Sequence, residues 1–351
     1  MQQLIMKNTI AIGFLIFLAG WINIFPGQPP KSTKTFLRIG FYNTENYFDP
    51  FADSAIGYTQ FNPGGDHHWS VRRYKTKRQH IFKVITAMGG WHGMDIMAFA
   101  EIENQFVLED LLKSSPLGGR KYGIIHFESP DHRGIDVGLI YKKSSFRPLF
   151  TKAIHVHNPT DKKLRTRDIL YVKGTAGNDT LQLFINHWPS RYGGLMATVQ
   201  KRLLAAKILR HTVDSVCNKK PNAHILILGD FNETLADKGL QWIVRSKNPC
   251  GIKALPPHPD YGLAKGSIKS ISGWAVFDRI LCSKNLISSH STPFVIGKSF
   301  HIFDAPFLLE NDKKNMGLKP NRTYNGFTYH GGFSDHLPVY VDIMLIKAAR
   351  P

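Results

Sequence analysis

Carboxylate, carboxamide and imidazole side chains recur in this sequence directly after apolar runs. In "HILILGDFNET", four aliphatic residues from Ile225 to Leu228 lead into Asp230 and Asn232. The run is typical of a strand buried on both faces, and Gly229 allows the chain to turn where the polar residues emerge. Alone, the segment favours a turn in which Asp and Asn bond their own backbone. The alternative is a rigid edge that presents polar groups to a metal, a water molecule or a phosphate.

Polar residues of the same kinds follow, interrupt or directly precede five other strand-like runs. The polar residues at these positions are Asn43, Glu101, His187, Asp278, Asp335 and His336. Each one alone is better explained as a cap, a turn or an ion-pair partner. Together they supply the oxygen ligands that Mg²⁺-type cations prefer and imidazoles that carry protons near neutral pH. This inventory is that of a hydrolytic site with a hard cation, a base and a charge stabiliser.

The apolar pattern predicts one α/β domain whose strands outnumber its helices. Nine strand-like runs occur between "FLRIGFYN" and "PVYVDIML", and no linker or repeat divides the chain. Ile81, Val84, Ile85 and Met88 form one helical stripe, and Leu203 to Val213 contains another. So many strands seldom remain in one open sheet, so we expect two packed sheets with helices outside. Two long loop-rich segments, 248–273 and 293–332, fall between the late strands.

The chain is strongly basic, which favours a polyanionic partner. It carries 45 Lys and Arg against 26 Asp and Glu, a formal net charge of +19. Nucleic acid, an anionic membrane surface and a phosphorylated small molecule all fit this charge. The run "RRYKTKR", Arg72 to Arg78, places Tyr74 among five cations before a predicted amphipathic helix, a pattern suited to a phosphate backbone. A solvated helix face explains the same run equally well.

The N-terminal segment is predicted to be a targeting signal. Lys7 precedes the apolar run "TIAIGFLIFLAGWINIF", which a Pro-rich polar stretch follows. The run indicates export, either as a cleaved signal or as a membrane anchor. We therefore expect residues 1–31 to be signal or anchor with linker, residues 32–351 to be the domain, and the protein to be periplasmic, secreted or membrane-attached.

The cysteines give no sequence signal for a disulfide framework. Cys217, Cys250 and Cys282 are odd in number and far apart, which also argues against a cysteine-rich metal site. We predict no chemical role for them.

The order of the polar motifs resembles the endonuclease/exonuclease/phosphatase superfamily of metal-dependent phosphoesterases. "GDFN" and "SDHLPV" are specific when they occur together in this order, and the motifs extend over almost the whole predicted domain. The resemblance implies a four-layer α/β sandwich, two packed β-sheets flanked by helices, with the active site at one rim. Around "NHWPSRYGG" and "GGFSDH" the sequence is most similar to an exported bacterial subgroup.

The resemblance also implies a role for each motif residue. Glu101 should bind the divalent ion, Mg²⁺ or substituting Mn²⁺, with Asn43 and Asp335 close to it. Asp230 should orient or deprotonate the attacking water, and Asn232 should hold a phosphoryl oxygen. His336, hydrogen-bonded to Asp278, and His187 should stabilise charge on the phosphoryl group. One ion or two remains open.

Two arginines are additional candidates for substrate binding. Arg191 and Arg322 suit phosphate because guanidinium groups bind its oxygens in pairs, although either could be a structural ion-pair partner.

The leading functional prediction is an Mg²⁺-dependent phosphodiesterase, a nuclease acting on DNA or RNA. A phosphatase or phospholipase-type enzyme, acting on a phospholipid head group or a phosphorylated sugar or inositol, keeps the same chemistry. A catalytically inactive surface-binding protein on the same fold is the alternative from another class. The sequence indicates no protein partner and leaves open endo or exo cleavage, signal removal and oligomeric state.

Overall fold

A computed structural model describes residues 33–51, 60–158, 161, 164–245, 247–259, 262–288 and 293–347. The predicted signal or anchor at residues 1–31 lies outside the described residues, so its assignment stays a prediction. Among the helices that the structure describes, none is both long and apolar enough to cross a membrane.

Eight of the described strands lie between Thr33 and Asp230. They are β1 (Thr33–Tyr47), β2 (Ile96–Ile102), β3 (Tyr122–His126), β4 (Asp136–Lys142), β5 (Arg147–Ile154), β6 (Ile169–Ala176), β7 (Asp179–His187) and β8 (His224–Asp230). The later ones are mostly short: β9 (Lys253–Ala254), β10 (Ile268–Ser270), β11 (Gly273–Ala275), β12 (Asp278–Cys282), β13 (Phe294–Val295), β14 (His301–Ile302), β15 (Leu309–Asn311), β16 (Leu318–Pro320), β17 (Tyr324–Asn325), β18 (Thr328–Tyr329) and β19 (Val339–Lys347).

Two sheets contain most of these strands. The first has the order β13-β19-β1-β2-β4-β3, with β14 also paired to β19, and the second has the order β5-β6-β7-β8-β12-β9. Within them β1 and β2 are parallel, as are β7 and β8, whereas β19 and β12 are antiparallel to their neighbours. Six of the other small strands form three separate hairpins, β10-β11, β15-β16 and β17-β18.

Three apolar clusters hold the layers together. The inward faces of the two sheets meet in one core, to which Leu37, Ile39 and Phe41 of β1 and Leu183 and Ile185 of β7 contribute. Because side chains alternate along a strand, the outward faces need a second cover, and helices supply it. The predicted four-layer α/β sandwich is therefore confirmed.

The helices cover the outer faces of the sheets. In the described part they are α1 (Val71–Gly89), α2 (Gln105–Lys113), α3 (Leu195–Lys219) and α4 (Lys238–Val244), together with short 3₁₀ turns at Pro116–Arg120, Lys284–Leu286, Ile296–Lys298 and Pro306–Leu308. The stripes predicted on α1 and α3 are buried against the first and second sheets. The side chain of Ser70 caps α1 by accepting a hydrogen bond from the Arg73 amide.

The basic run Arg72–Arg78 lies inside α1 rather than before it, and most of it is engaged by the protein. Arg73 donates to the carbonyls of His67 and His68, and Arg78 forms an ion pair with Asp110 at 2.5 Å. Tyr74 is buried and stacks on Tyr47. The tyrosine is therefore unavailable to stack on a base, and the prediction of a five-cation phosphate site is wrong in this form.

A disulfide links α3 to the segment after α4. Cys217 and Cys250 are bonded, while Cys282 is a buried free thiol. The sequence argument against a disulfide was wrong because distance along the chain says little about distance in the fold: α3 and α4 pack together beside the second sheet.

Candidate active site

The carboxyl-terminal ends of β1, β2, β7 and β8 form one edge of the sandwich, here called the carboxyl rim. Strand register places His187 beside Asp230, and Asp278 directly opposite Asp230 on β12. From the first sheet, the Asn43 amide nitrogen lies 3.1 Å from Asp230 Oδ2 and 3.5 Å from Glu101 Oε1. The two sheets therefore bring five of the predicted residues together at this rim.

Gly229 lets β7 and β8 approach closely just before the rim. Its φ is +154°, and a Cβ there would lie 2.1 Å from the backbone carbonyl oxygen of Asn186. A side chain at this position would push apart the strands that carry His187 and Asp230.

Asp230 is a buried carboxylate held by three amide hydrogen bonds. Oδ1 accepts from the Asn232 backbone at 2.8 Å, and Oδ2 accepts from Asn43 and from the Asn232 side chain at 3.1 and 3.2 Å. Burial raises the pKa of Asp230 to about 7; the charge of Asp278 also raises it, whereas that of His336 opposes the shift. The bonds fix the direction of the carboxylate, as a group acting on a bound water requires.

His336 is oriented by Asp278, as predicted. Its Nδ1 lies 2.7 Å from Asp278 Oδ2, and its Nε2 lies 3.7 Å from Asp230 Oδ2. Burial acts to lower the pKa of His336, but the charges of Asp278 and Asp230 raise it well above the usual value. The imidazole is therefore a buried cation at neutral pH.

His187, in contrast, is held in the neutral form. Burial, followed by the charges of Arg167, Arg133 and His336, lowers its pKa well below the usual value. Its Nε2 lies 3.7 Å from both Glu101 and Asp230, and its buried Nδ1 has no partner in the described part of the chain. The rim thus combines a neutral and a cationic imidazole.

Backbone strain is concentrated at this rim. Glu45, Asn46, Glu101 and Asn232 all have φ between +50° and +61°, a region that non-glycine residues seldom occupy. Such conformations cost roughly 1–3 kcal/mol each and collect at functional sites. Glu101 is held in this conformation by the Asn46 amide, which donates to Oε2 at 3.0 Å.

Asp335 faces a network that sequence reasoning missed. Its Oδ2 lies 3.0 Å from Arg322, whose guanidinium also contacts the buried carboxylate of Glu45 at 3.2 Å. The Thr323 amide donates to Glu45 at 2.6 Å, which attaches the last loop-rich segment to the end of β1. Glu45 follows Asn43 by two positions in "NTEN", so its place directly after the apolar part of β1 was the available signal.

A buried lysine completes this network. Lys77 on α1 is 1% exposed and donates to Thr323 Oγ1 and to the Phe333 carbonyl. Burial lowers its pKa to about 8, while burial and then the charge of Asp335 raise the pKa of Glu45 to about 7. The sequence had placed Lys77 on a solvated face or a phosphate-binding run, and the structure corrects both.

The donor set suits a divalent cation. Glu101, Asn43 and Asp335 offer carboxylate and carboxamide oxygens, the ligands of hard cations. Burial and then the charge of Asp335 raise the pKa of Glu45, and a cation held nearby would act in the opposite direction. Asp230, Asp278 and His336 offer a second set of ligand atoms within 4.8 Å of one another.

The two arginine candidates are both engaged in ion pairs. Arg191 contacts Asp237 and the Asn232 carbonyl, each at 2.8 Å, and thereby supports the loop that carries Asn232. Arg322 lies between Glu45 and Asp335 and keeps 38% of its side chain exposed. The structure thus shows the ion-pair alternative for both, and their contact with substrate phosphate stays a prediction.

Comparison with known proteins agrees with this geometry. The sequence matches the model of the Endonuclease/Exonuclease/phosphatase family over residues 38–345. The chain belongs to this family. A search of curated protein sequences finds no match. As an endonuclease/exonuclease/phosphatase family member, the protein is a phosphoester hydrolase, and its family is generally dependent on divalent metal.

Solved structures of the same fold include other family members. An endonuclease/exonuclease/phosphatase from Bacteroides vulgatus has a TM-score of 0.55 and 14% identity, over 89% of this chain and 99% of that one. The human nocturnin catalytic domain, solved with a bound sulfate anion, has a TM-score of 0.54 and 14% identity over 90% and 99%. Truncated Caenorhabditis elegans TDP2 has a TM-score of 0.53 and 14% identity, over 88% of this chain and 97% of that one. At these identities the likeness shows the fold alone.

Proposed function

We propose that this protein is an exported Mg²⁺-dependent phosphodiesterase that cleaves DNA or RNA. The observation that carries the proposal is the meeting of Asp230, Asn232, His187 and the His336–Asp278 pair beside the carboxylate of Glu101. These are a base, two imidazoles in different charge states and a cation ligand at one rim. Mn²⁺ is expected to substitute for Mg²⁺.

The reaction proposed is an in-line attack of water on the phosphorus, which forms a P–O bond to the water oxygen and breaks the P–O bond to the leaving-group oxygen. The departing oxygen takes up a proton from solvent water. Asp230, fixed by Asn43 and Asn232, orients the water and accepts its proton. The cationic His336 and the Nε2 of neutral His187 stabilise charge on the phosphoryl oxygens. Asn232 already donates to Asp230 and to the Trp188 carbonyl, so it must exchange one of these bonds to hold a phosphoryl oxygen.

Glu101, with Asn43 and Asp335 close to it, is proposed to hold the Mg²⁺. When bound there, the ion would supply Lewis-acid stabilisation of the phosphoryl group.

A basic cleft beside His187 supports a polynucleotide substrate. Its volume is about 480 Å³, and its lining includes Arg133, Arg165, Lys201 and Tyr192. Arg167 also lines the cleft and donates to the carbonyl of Trp188, the residue after His187, at 2.8 Å, so the cleft adjoins the reaction centre. Arg165 and Lys201 are exposed, and Tyr192 is 93% exposed, which suits phosphate contacts and stacking on a base. A bound sulfate in human nocturnin is compatible with phosphate binding on this fold.

A substrate panel tests the proposal. Purified protein is incubated with plasmid DNA, RNA, sphingomyelin or inositol phosphates, with Mg²⁺, with Mn²⁺ or with excess chelator. Asp230→Asn protein prepared in parallel controls for contaminating nucleases. We expect metal-dependent cleavage of DNA or RNA that the variant lacks. Preferential hydrolysis of sphingomyelin or inositol phosphates would assign the alternative substrate class, and no hydrolysis of any phosphoester would favour the inactive binding protein.

A further inference from the structure

The edge opposite the carboxyl rim carries a surface that the proposed chemistry does not use. We call it the entry rim, because β1 begins there at Thr33 and the paired β19 ends there at Lys347. A cavity of about 290 Å³ opens on it, lined by the start of β1 (Thr35–Leu37), His92, residues 143–147 and the β6–β7 turn. These segments therefore lie side by side at one end of the sandwich.

Large apolar side chains project from the entry rim. Trp91 is fully exposed, and it precedes His92, whose ring packs against that of Phe36 at an interplanar angle of 37° with 4.7 Å between centroids. Leu149 and Phe150, at the start of the edge strand β5, are 49% and 51% exposed. Tryptophan is enriched at membrane–water interfaces because its ring is largely apolar and carries one polar N–H group. A fully exposed tryptophan fits such a position.

Basic residues lie on the same rim as these side chains. Lys121, Lys143 and Arg147 are exposed, and the Lys143 amide donates to the Lys121 carbonyl at 3.2 Å, which places two of the cations together. The neighbouring acid, Asp95, is buried and accepts a hydrogen bond from the Arg38 amide. Burial raises the pKa of a second acid on this edge, Asp179, and the charges of the nearby His224 and Lys220 oppose that shift. The entry rim therefore presents positive charge.

The catalytic residues lie at the far end of β1 from this surface. Asn43 follows Thr33 by ten positions, a span of about 33 Å in a β-strand. A substrate bound at the carboxyl rim therefore does not reach the entry rim cations unless it is a long polymer wrapped around the domain.

We infer that the entry rim docks on an anionic lipid bilayer, with Trp91 in the membrane interface. Basic residues beside an aromatic side chain match the charge and the polarity gradient of such a surface. The chain also enters the fold at this rim, one residue after an N-terminal segment that contains a long apolar run. In this orientation the catalytic rim faces away from the lipid, towards soluble phosphoesters. The inference does not depend on which phosphoester is cleaved.

Tryptophan quenching by brominated lipids tests the docking. Full-length protein is bound to vesicles of phosphatidylcholine alone or of phosphatidylcholine mixed with phosphatidylglycerol. The chain has six tryptophans, so the contribution of Trp91 is the difference between wild type and Trp91→Phe. We expect this difference to be quenched by brominated lipid in the anionic vesicles and to remain unquenched in the neutral ones.

Charge reversal provides the matched comparison. The triple variant Lys121→Glu, Lys143→Glu, Arg147→Glu should lose the anionic-lipid-dependent quenching by at least about fivefold, because each cation near an anionic surface adds to binding. Reversal of three exposed lysines elsewhere, Lys238, Lys313 and Lys314, should leave the quenching within about twofold of wild type.

Two results would overturn the inference. One is a Trp91 signal that stays accessible to aqueous iodide and insensitive to brominated lipid on anionic vesicles. The other is a Trp91 signal that changes with added DNA or with protein concentration in the absence of lipid, which would assign the surface to nucleic acid or to a second copy of the chain.

Discussion

Asp230 and Asp278 are directly opposed across β8 and β12, and His336 contacts both carboxylates. Like charges in direct cross-strand opposition destabilise a sheet, and this pair is also buried. The arrangement costs stability and is kept beside the proposed water-binding position, which is the behaviour expected of a functional pair.

Asp230→Asn is expected to separate catalysis from stability. Turnover should fall on the order of a hundredfold or more, because the base is lost. The melting temperature should stay the same or rise, because a buried charge opposite Asp278 is removed. Turnover and thermal unfolding are measured on the same preparation. Near-normal turnover would contradict the catalytic role, and a destabilised variant with normal turnover would restore the simple turn interpretation.

Glu101→Gln is expected to raise the metal concentration needed for half-maximal activity. A neutral amide is a weaker ligand for a hard cation than a carboxylate, so the increase should be on the order of tenfold or more. Titration of chelated enzyme with Mg²⁺ and Mn²⁺ measures it. Glu109→Gln, on the exposed face of α2, is the matched control and should titrate like wild type. Full activity of wild type in excess chelator would exclude the metal site.

The basic cleft and the basic helix face are expected to differ in salt dependence. Arg165→Ala with Lys201→Ala should weaken binding of an oligonucleotide and reduce the slope of log affinity against log salt by about 1.5, on the loss of two phosphate contacts. Arg72→Ala with Lys75→Ala, two exposed cations of α1, should leave the slope nearly unchanged. Fluorescence anisotropy at several salt concentrations measures the slope for each variant. A reduced slope for the α1 variant and an unchanged slope for the cleft variant would place the bound polynucleotide on α1.

The Asp110–Arg78 ion pair should give a pH-dependent contribution to stability. Burial acts to raise the pKa of Asp110, but hydrogen bonds from Ser114, Tyr74 and Arg78 lower it below the usual value. A carboxyl group with a lowered folded-state pKa stabilises the protein above its unfolded-state pKa, and the contribution is lost as pH falls through the folded-state value. Asp110→Asn should therefore cost on the order of 1 kcal/mol of unfolding free energy near neutral pH. The difference from wild type should shrink below about pH 4. A difference that does not change with pH would contradict the ion-pair account.

Thiol labelling should distinguish the three cysteines. Burial raises the pKa of Cys282 to about 12, so its reactive thiolate is scarce in the folded protein. Native protein should take up no alkylating reagent, denatured protein one equivalent, and denatured and reduced protein all three, as counted by mass spectrometry. Three labels in denaturant without reductant would show that Cys217 and Cys250 are not bonded.

The strand ends were predictable from sequence because burial leaves a clear pattern. "DVGLIYK" and "HILILGD" coincide with β4 and β8, and the polar residues that follow such runs do converge at the carboxyl rim. Polar contacts between residues that are far apart in the chain leave no comparable pattern in the sequence. The position of Lys77 within a basic run gives no hint that it is buried beside Thr323, 246 positions away.

The elements that were missed have weak local signals. β5 is an edge strand in which no residue is fully buried, so its sequence lacks a clear alternation. α2 and α4 span only nine and seven residues, too short for a distinct helical stripe. The Cys217–Cys250 bond depends on how α3 packs, which the spacing of the cysteines does not encode.

The hydrogen bond from Ser334 Oγ to the Asn43 carbonyl joins residues 291 positions apart. It fixes the loop that carries Asp335 and His336 onto the first strand, so a ribosome must synthesise nearly the whole polypeptide before the two halves of the site can meet. A growing chain that has reached β18 already contains Glu101 and Asp230 but not yet His336. Hydrolytic competence is therefore acquired at the end of synthesis, and incomplete translation products should be inert towards phosphoesters in the cell that makes them.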